Sequence, residues 1–258
     1  MTVDLPFVVS GFGVGFLVGM TGVGGGSLMT PLLILMFGVH PATAVGTDLL
    51  FAASTKVAGS AVHGANRNIV WRVVGLLATG SVPATALTLI VLSRVPLNQP
   101  GAVSAINSIL GIALLLTGCA LIFRRWLVQR YAERVRRMKP ARRDLLTVLM
   151  GAILGVLVSV SSVGAGAIGV TALLLLYPEQ PTVRIVGSDI AHAVPLTLAA
   201  GFGHWLIGSI DFALLGSLLL GSVPGVIAGS FGVNRVPDAV LRPIFAVTLF
   251  LVGGRLLF

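Results

Sequence analysis

The chain has 258 residues, of which 56% are hydrophobic and only 10% are charged, and its mean hydropathy is +1.03. Because a soluble domain carries about 25% charged residues, this composition argues against a water-soluble protein. The formal charge is +9, but nine of the 17 basic residues lie between Arg124 and Arg143, a distribution typical of topogenic signals and not of nucleic-acid binding. A single cysteine, Cys119, excludes a disulfide framework and a thiolate metal cluster.

Glycine, proline and charged residues divide the chain into ten apolar segments. In chain order these are 5–20, 27–37, 42–63, 70–92, 101–123, 145–160, 166–177, 183–206, 210–232 and 238–257. Taken as two sets of five, the third, fourth and fifth segments hold about 20 residues and can span the hydrocarbon core of about 30 Å. The second segment of each set holds about 11 residues and reaches only half way. We therefore predict an all-α polytopic membrane protein.

An internal repeat relates the two sets of segments. The matching stretches are GFLVGMTGVGGG (15–26) with GVLVSVSSVGAG (155–166) at an offset of 140, and PATAVGTD (41–48) with PTVRIVGSD (181–189) and GSVPA (80–84) with GSVPG (221–225) at an offset of 141. The repeat predicts a first transmembrane unit over 1–123, a basic cytoplasmic link over 124–143 and a second transmembrane unit over 144–258.

The charge distribution predicts how the two units are oriented. A unit that crosses the membrane an odd number of times places its copy in the inverted orientation. With the link in the cytoplasm, 14 basic residues lie on the cytoplasmic side and only Arg94 and Arg255 lie outside, as the positive-inside rule requires. We therefore predict inverted repeats with both termini in the periplasm.

Each unit is interrupted at a matching place by small residues, TGVGGGS (21–27) and SSVGAGA (161–167). A short apolar piece beside such a break is typical of a re-entrant hairpin or a broken helix at a transporter's binding site. The alternative is that the glycines only allow neighbouring helices to approach closely. Whether the first two segments of each unit are re-entrant or fully crossing stays open at this point.

These residues carry a family resemblance. The stretches GMTGVGGGSLMTPLL and HPATAVGTDLL, a histidine near the end of that helix, and a weaker second copy after a basic link resemble the TauE/SafE family of sulfite and organosulfonate exporters. The resemblance covers essentially the whole chain. It implies transport of small sulfur-containing or carboxylate anions across the bacterial inner membrane, by a protein without a cofactor.

The glycine breaks supply the first group of candidate anion-binding residues. A helix that starts inside the membrane presents unpaired N–H groups and a partial positive charge, and glycine lets an anion approach the backbone. Hydroxyl groups beside the breaks add donors. The candidates are Thr21, Gly24, Gly25, Gly26, Ser27, Ser161, Ser162, Gly164 and Gly166. Local capping or helix packing is the alternative role of the hydroxyls.

Charged residues within the apolar segments supply the second group, because burying a charge at a helix centre costs about 2.5–3.5 kcal/mol. Asp48, Lys56 and His63 fall on one face of the third segment. Asp189, His192 and His204 fall similarly in the second unit. The alternatives are that the aspartates bond to nearby backbone, that His63 and His204 lie at the membrane interface, and that Lys56 reaches an interface with its ammonium.

Together these features favour a secondary transporter or facilitator of a small anion, with its site near the midplane between the breaks and the third helices. No Walker lysine follows a phosphate loop, so transport would use a gradient, with H⁺ or Na⁺ as the possible coupling ion. A channel-like anion conductor is the first alternative. An intramembrane enzyme using His63, His192 or His204 is the second, although no metal-ligand spacing supports it. The expected partners are the anion and the lipid bilayer, with no nucleic acid and no metal. A homo-oligomer stays open.

Overall fold

The computed structural model describes residues 4–21, 26–232 and 238–258, with side chains for 4–17, 28–229 and 243–258. These residues form ten helices: α1 (Leu5–Thr21), α2 (Gly26–Phe37), α3 (Pro41–Ala65), α4 (Trp71–Leu92), α5 (Pro100–Arg136), α6 (Pro140–Ser161), α7 (Ala167–Leu176), α8 (Thr182–Leu206), α9 (Phe212–Gly232) and α10 (Asp238–Leu257). The described part contains no strand, which confirms the predicted all-α fold.

Five of these helices are long and apolar enough to cross a membrane: α4, α5, α6, α8 and the described part of α9. The helix α3 has 25 residues, but Asp48 and Lys56 interrupt its apolar character. Large side chains such as Leu87, Ile153 and Leu251 face outward, whereas many hydroxyl groups are buried. This inside-out distribution fits a protein surrounded by lipid.

The two central helices, α3 and α8, pack antiparallel against each other. Gly46, near the start of α3, packs on His204, near the end of α8, and a Cβ at position 46 would lie 3.1 Å from the Cβ of His204. At the other end, a Cβ at Gly187 would lie 2.9 Å from Nδ1 of His63. The two contacts are reciprocal, because an offset of 141 relates Gly46 to Gly187 and His63 to His204.

The same offset relates other contacts between the halves. The N–H of Val70 donates to Oγ of Ser188 at 2.8 Å, and the N–H of Asp211 donates to Oγ1 of Thr47 at 3.2 Å. The pairs α1–α9 and α4–α6 pack against each other in the same reciprocal manner. Helices α3 and α5 thus pack on their own counterparts, α8 and α10, whereas α1 and α4 pack on α9 and α6.

The first two helices of each half form a hairpin. The rings of Phe7 and Phe37 lie 4.8 Å apart, so the start of α1 is next to the end of α2. In the second half, Oγ1 of Thr147 and the hydroxyl of Tyr177 lie 2.9 Å apart, and they join the start of α6 to the end of α7. The turn between α6 and α7 is therefore deep in the bundle.

The helix boundaries agree with the predicted segments except at the basic link. Helix α5 continues to Arg136, well past the end of its apolar segment, and α6 begins at Pro140. The physical reason is that hydropathy marks where the apolar stretch ends and not where the helix ends. No glycine or proline occurs between Ala120 and Lys139, and arginine and glutamate are good helix formers.

Candidate functional site

The turn between α6 and α7 brings backbone into the centre of the bundle. Its residues adopt positive φ angles at Ser162 (58°), Gly164 (119°) and Gly166 (133°), which explains the two glycines. The hydroxyl of Ser161 donates to the carbonyl of Leu157 at 2.7 Å and accepts from the N–H of Val163 at 3.2 Å. The side chain of Ser161 is therefore engaged in local capping, as the alternative interpretation of the hydroxyls expected.

The first turn of α7 follows immediately. The first N–H groups of any helix lack an intrahelical acceptor and carry a partial positive charge. At the start of α7, the first N–H group with a hydrogen bond outside the regular helical pattern is that of Gly169. It donates to the carbonyl of Gly164 at 3.2 Å. The amides of Ala167 and Ile168 thus stand at the start of a buried helix, beside Gly166.

Lys56 reaches this turn from α3. Its Nζ atom donates to the carbonyl oxygen of Ala165 at 3.2 Å, and the residue is only 7% exposed. None of the salt bridges between described residues involves Lys56. The ammonium is therefore buried beside the start of α7 with a backbone carbonyl as its hydrogen-bond partner.

Asp48 lies on the same helix and near the same turn. The hydroxyl of Thr30 donates to its Oδ2 at 2.5 Å, and the hydroxyl of Ser162 lies beside the same carboxylate. Asp48 is fully buried, and its Oδ1 has no hydrogen-bond partner. The bond to Thr30 joins α3 to α2, so the aspartate does not bond to the backbone near the start of its own helix.

Asp189 is the counterpart of Asp48 in the second half and has a different environment. It packs against Gly169 of α7, where a Cβ would overlap its Oδ1. The residue is 1% exposed, and Oδ1 has no hydrogen-bond partner. The charge of Lys56 acts on both carboxylates, although neither is in salt-bridge contact with it.

The predicted histidines line α8 and the end of α3. Nε2 of His192 and Oγ of Ser81 in α4 lie 2.8 Å apart, and Nε2 of His204 lies 2.8 Å from the carbonyl oxygen of Ser159 in α6. Both histidines are buried. His63 is half-buried at the far end of α3, against Gly187.

Some predicted site residues cannot be compared with this arrangement. Gly24 and Gly25 lie outside the described residues, and Thr21, Gly26 and Ser27 belong to helix ends whose side chains also lie outside them. The remaining candidates near the turn are Ser161, Ser162, Gly164 and Gly166, and the structure brings Asp48 and Lys56 to them. No group of three or more His, Cys, Asp or Glu residues suited to a metal ion occurs among the described residues.

Sequence reasoning missed four contacts of the site. Thr30, Ser81 and Gly169 each contact one of the predicted charged residues or histidines, and Ala165 offers its carbonyl to Lys56. Ala165 lies within the second glycine break (161–167), and Thr30 lies about one turn after the first (21–27). Their position in or beside a break was the available signal.

Comparison with known proteins identifies the type of protein to which this geometry belongs. A family model described as Sulfite exporter TauE/SafE matches residues 7–256. The chain belongs to the TauE/SafE family. The resemblance read from the glycine-rich motifs is thereby confirmed, and this TauE/SafE protein is a membrane transporter with several membrane-spanning helices.

Curated relatives agree with the assignment. The chain is 36% identical to the "Probable membrane transporter protein YjnA" of Bacillus subtilis (strain 168), over 98% of this chain and 100% of the relative. It is 27% identical to "Probable membrane transporter protein YdhB" of the same organism, over 96% of this chain and 97% of the relative. No solved structure matches this TauE/SafE protein significantly.

Proposed function

We propose that this TauE/SafE protein is a secondary transporter that exports a small anion across the cell inner membrane. The family description names sulfite, so the proposed substrates are sulfite, an organosulfonate such as sulfoacetate, or a related small sulfur or carboxylate anion. The proposed site comprises the α6–α7 turn, the corresponding glycine break of the first half, and the charged faces of α3 and α8.

One observation carries the proposal: Lys56 holds a buried ammonium at the start of α7 without a carboxylate in salt-bridge contact among the described residues. A buried cation costs several kcal/mol unless an anion accompanies it. The start of α7 adds unpaired amides and a partial positive charge at the same place. An anion that displaces the carbonyl of Ala165 from Lys56 would meet both.

The proposal includes two inverted repeats, each with one re-entrant hairpin and three spanning helices. It is supported by the antiparallel packing of α3 on α8, since a two-fold axis that relates antiparallel spanning helices lies in the membrane plane. The hairpin contacts Phe7–Phe37 and Thr147–Tyr177 keep the open ends of each hairpin together, and α2 and α7, with 12 and 10 residues, are too short to span the membrane. Both features support re-entry. With 124–143 in the cytoplasm, three crossings per repeat leave both termini in the periplasm.

Counterflow in proteoliposomes tests the function. Vesicles loaded with unlabelled sulfite or sulfoacetate should transiently accumulate the labelled anion, and the initial rate should saturate with concentration, as a carrier requires. Lys56→Met should reduce this uptake at least tenfold, and Lys56→Arg should retain part of it because the charge stays but its geometry changes. Arg94→Met, which removes an exposed cation in the α4–α5 loop, is the matched control and should behave as wild type.

Three outcomes would contradict the proposal in different ways. Saturation without counterflow, or flux that never saturates, would indicate a channel. Equal uptake by wild type and Lys56→Met would remove Lys56 from the site. Absence of uptake for every sulfur and carboxylate anion tried would reject the substrate class.

A further inference from the structure

The charges at the centre of the bundle do not balance when an anion is added. Asp48 and Asp189 contribute two carboxylates, and Lys56 contributes one ammonium, all within the buried core. A bound anion therefore brings at least a third negative charge to a region that holds one positive charge. Like charges at short range repel strongly where water is excluded. Anion binding therefore needs a second positive charge that arrives with the substrate.

We propose that this charge is a proton that binds to Asp189 together with the anion, so that anion and proton are transported as a pair. The inference rests on the proposed function and names its coupling ion. In the binding step an O–H bond forms between a proton from water and a carboxylate oxygen of Asp189. The carboxylate becomes a neutral acid, no electrons are transferred, and no bond of the anion changes.

The different surroundings of the two aspartates point to Asp189. Asp48 accepts a hydrogen bond from Thr30 and has the hydroxyl of Ser162 beside it, and such donors stabilise a carboxylate. Asp189 instead faces Gly169, which has no side chain to donate. Oδ1 of each aspartate is buried without a hydrogen-bond partner among the described residues, so the two carboxylates differ in the hydroxyl donors at Asp48.

Other titratable groups on the neighbouring elements are accounted for. The helices packed against α8 are α3, α4, α6 and α7. Their titratable and charged groups, with those of α8 itself, are Asp48, Lys56 and His63 of α3, Arg72 of α4, Arg142, Arg143 and Asp144 of α6, none on α7, and Arg184, His192 and His204 of α8. Arg72 pairs with Asp144 and Arg143 pairs with Glu179 at the ends of the bundle. His63, His192 and His204 are the groups that the experiment must separate from Asp189.

A proton suits this position better than Na⁺. Hard cations take about six oxygen ligands. Around Asp189 the structure offers the bare backbone of Gly169, and the described residues hold no cluster of three or more acidic, His or Cys ligands. A dianion such as sulfoacetate that moves with one proton still carries one net negative charge, so an interior-negative potential favours its export.

Isothermal titration of the full-length protein in detergent with sulfoacetate tests this inference. Titrations in buffers of different ionisation enthalpy count the protons taken up with the ligand. Wild type should take up about one proton per sulfoacetate, and its Kd should weaken as the pH rises, by up to about tenfold per pH unit. Asp189→Asn, which imitates the neutral acid, should take up about none and bind independently of pH. Whatever their affinity for sulfoacetate, His63→Gln, His192→Gln and His204→Gln should each still take up about one proton.

Each other outcome has a defined meaning. Zero uptake by wild type, or the same uptake by wild type and Asp189→Asn, overturns the proton site while the proposed transport function stands. Binding by wild type that depends on Na⁺ in place of pH assigns the coupling to sodium and overturns the inference. Complete loss of binding by folded Asp189→Asn places the residue in the anion site and also overturns it. Failure of wild type to bind sulfoacetate under any condition counts against the proposed substrate.

Discussion

The Nζ atom of Lys56 donates a hydrogen bond to the carbonyl oxygen of Ala165, 109 residues further along the chain, at 3.2 Å. This bond joins the middle of α3 to the turn between α6 and α7. The ammonium therefore holds the turn of one half from a helix of the other half. A ligand that takes the ammonium away from Ala165 releases the turn at the same time.

Replacement of Lys56 by Met should leave the melting temperature in detergent unchanged or raise it. The lost hydrogen bond costs about 1 kcal/mol, whereas removal of a charge from a span gains about 2.5–3.5 kcal/mol. The opposite result, a lower melting temperature that Asp48→Asn restores, would mean that Lys56 and Asp48 form a structural ion pair. Sulfoacetate affinity measured on the same samples separates a binding role from a structural one.

Replacement of Thr30 by Val should destabilise the protein by about 1.5–3 kcal/mol, because the buried carboxylate of Asp48 loses a charge-assisted hydrogen bond. Thr30→Ser keeps the hydroxyl and should lose much less. Thr79→Val is the control, because Thr79 is exposed and bonds only to the carbonyl of Leu76 on its own helix. Thermal unfolding of the three variants measures the difference, and equal stability of Thr30→Val and Thr79→Val would contradict it.

The close packing of α4 on α6 and of α9 on α1 predicts two matched pairs of glycine variants. A Cβ at Gly80 would overlap the carbonyl oxygen of Val148, and one at Gly221 would overlap that of Val8. Gly80→Ala and Gly221→Ala should therefore each cost about 1–3 kcal/mol or more. Gly75→Ala and Gly216→Ala, on the same two helices with nothing within 4 Å, should be neutral. Similar losses in all four variants would contradict the described packing.

The proposed orientation predicts the labelling of two exposed positions in a Cys119→Ser background. Gln99→Cys precedes α5 and should react with a membrane-impermeant maleimide in intact cells. Glu133→Cys, near the end of α5, should react only after the membrane is permeabilised. Reversed labelling would contradict the orientation, and labelling of both from outside would contradict a crossing by α5.

Much of the fold could be predicted from the sequence because the pattern of apolar and small residues follows membrane thickness. The short second segments and the glycine breaks predicted bounds for α2 and α7 that differ by about one residue from those of the described helices. The extension of α5 to Arg136 could not be read from hydropathy, since a helix that leaves the bilayer keeps its backbone hydrogen bonds. Helix propensity of the link was the relevant signal there.

The site was predictable in its charged residues and not in their partners. A lone lysine or aspartate within an apolar span is conspicuous, and Asp48, Lys56 and Asp189 are indeed buried. Their partners depend on which helices meet, and sequence spacing alone does not give contacts across 109 or 18 residues, as between Lys56 and Ala165 or Thr30 and Asp48. The contrast between the hydroxyl donors at Asp48 and the glycine at Asp189 could likewise be seen only in the three-dimensional structure.

The glycine-mediated helix pairs also determine which helices are held together across the two halves of the transporter. The first arm of each hairpin is fastened backbone to backbone onto a helix of the opposite half, α1 onto α9 and α6 onto α4. Neither half can move away as a rigid body without breaking these contacts. We therefore expect a hairpin arm of one half and the helix of the other half on which it packs to move together as one unit.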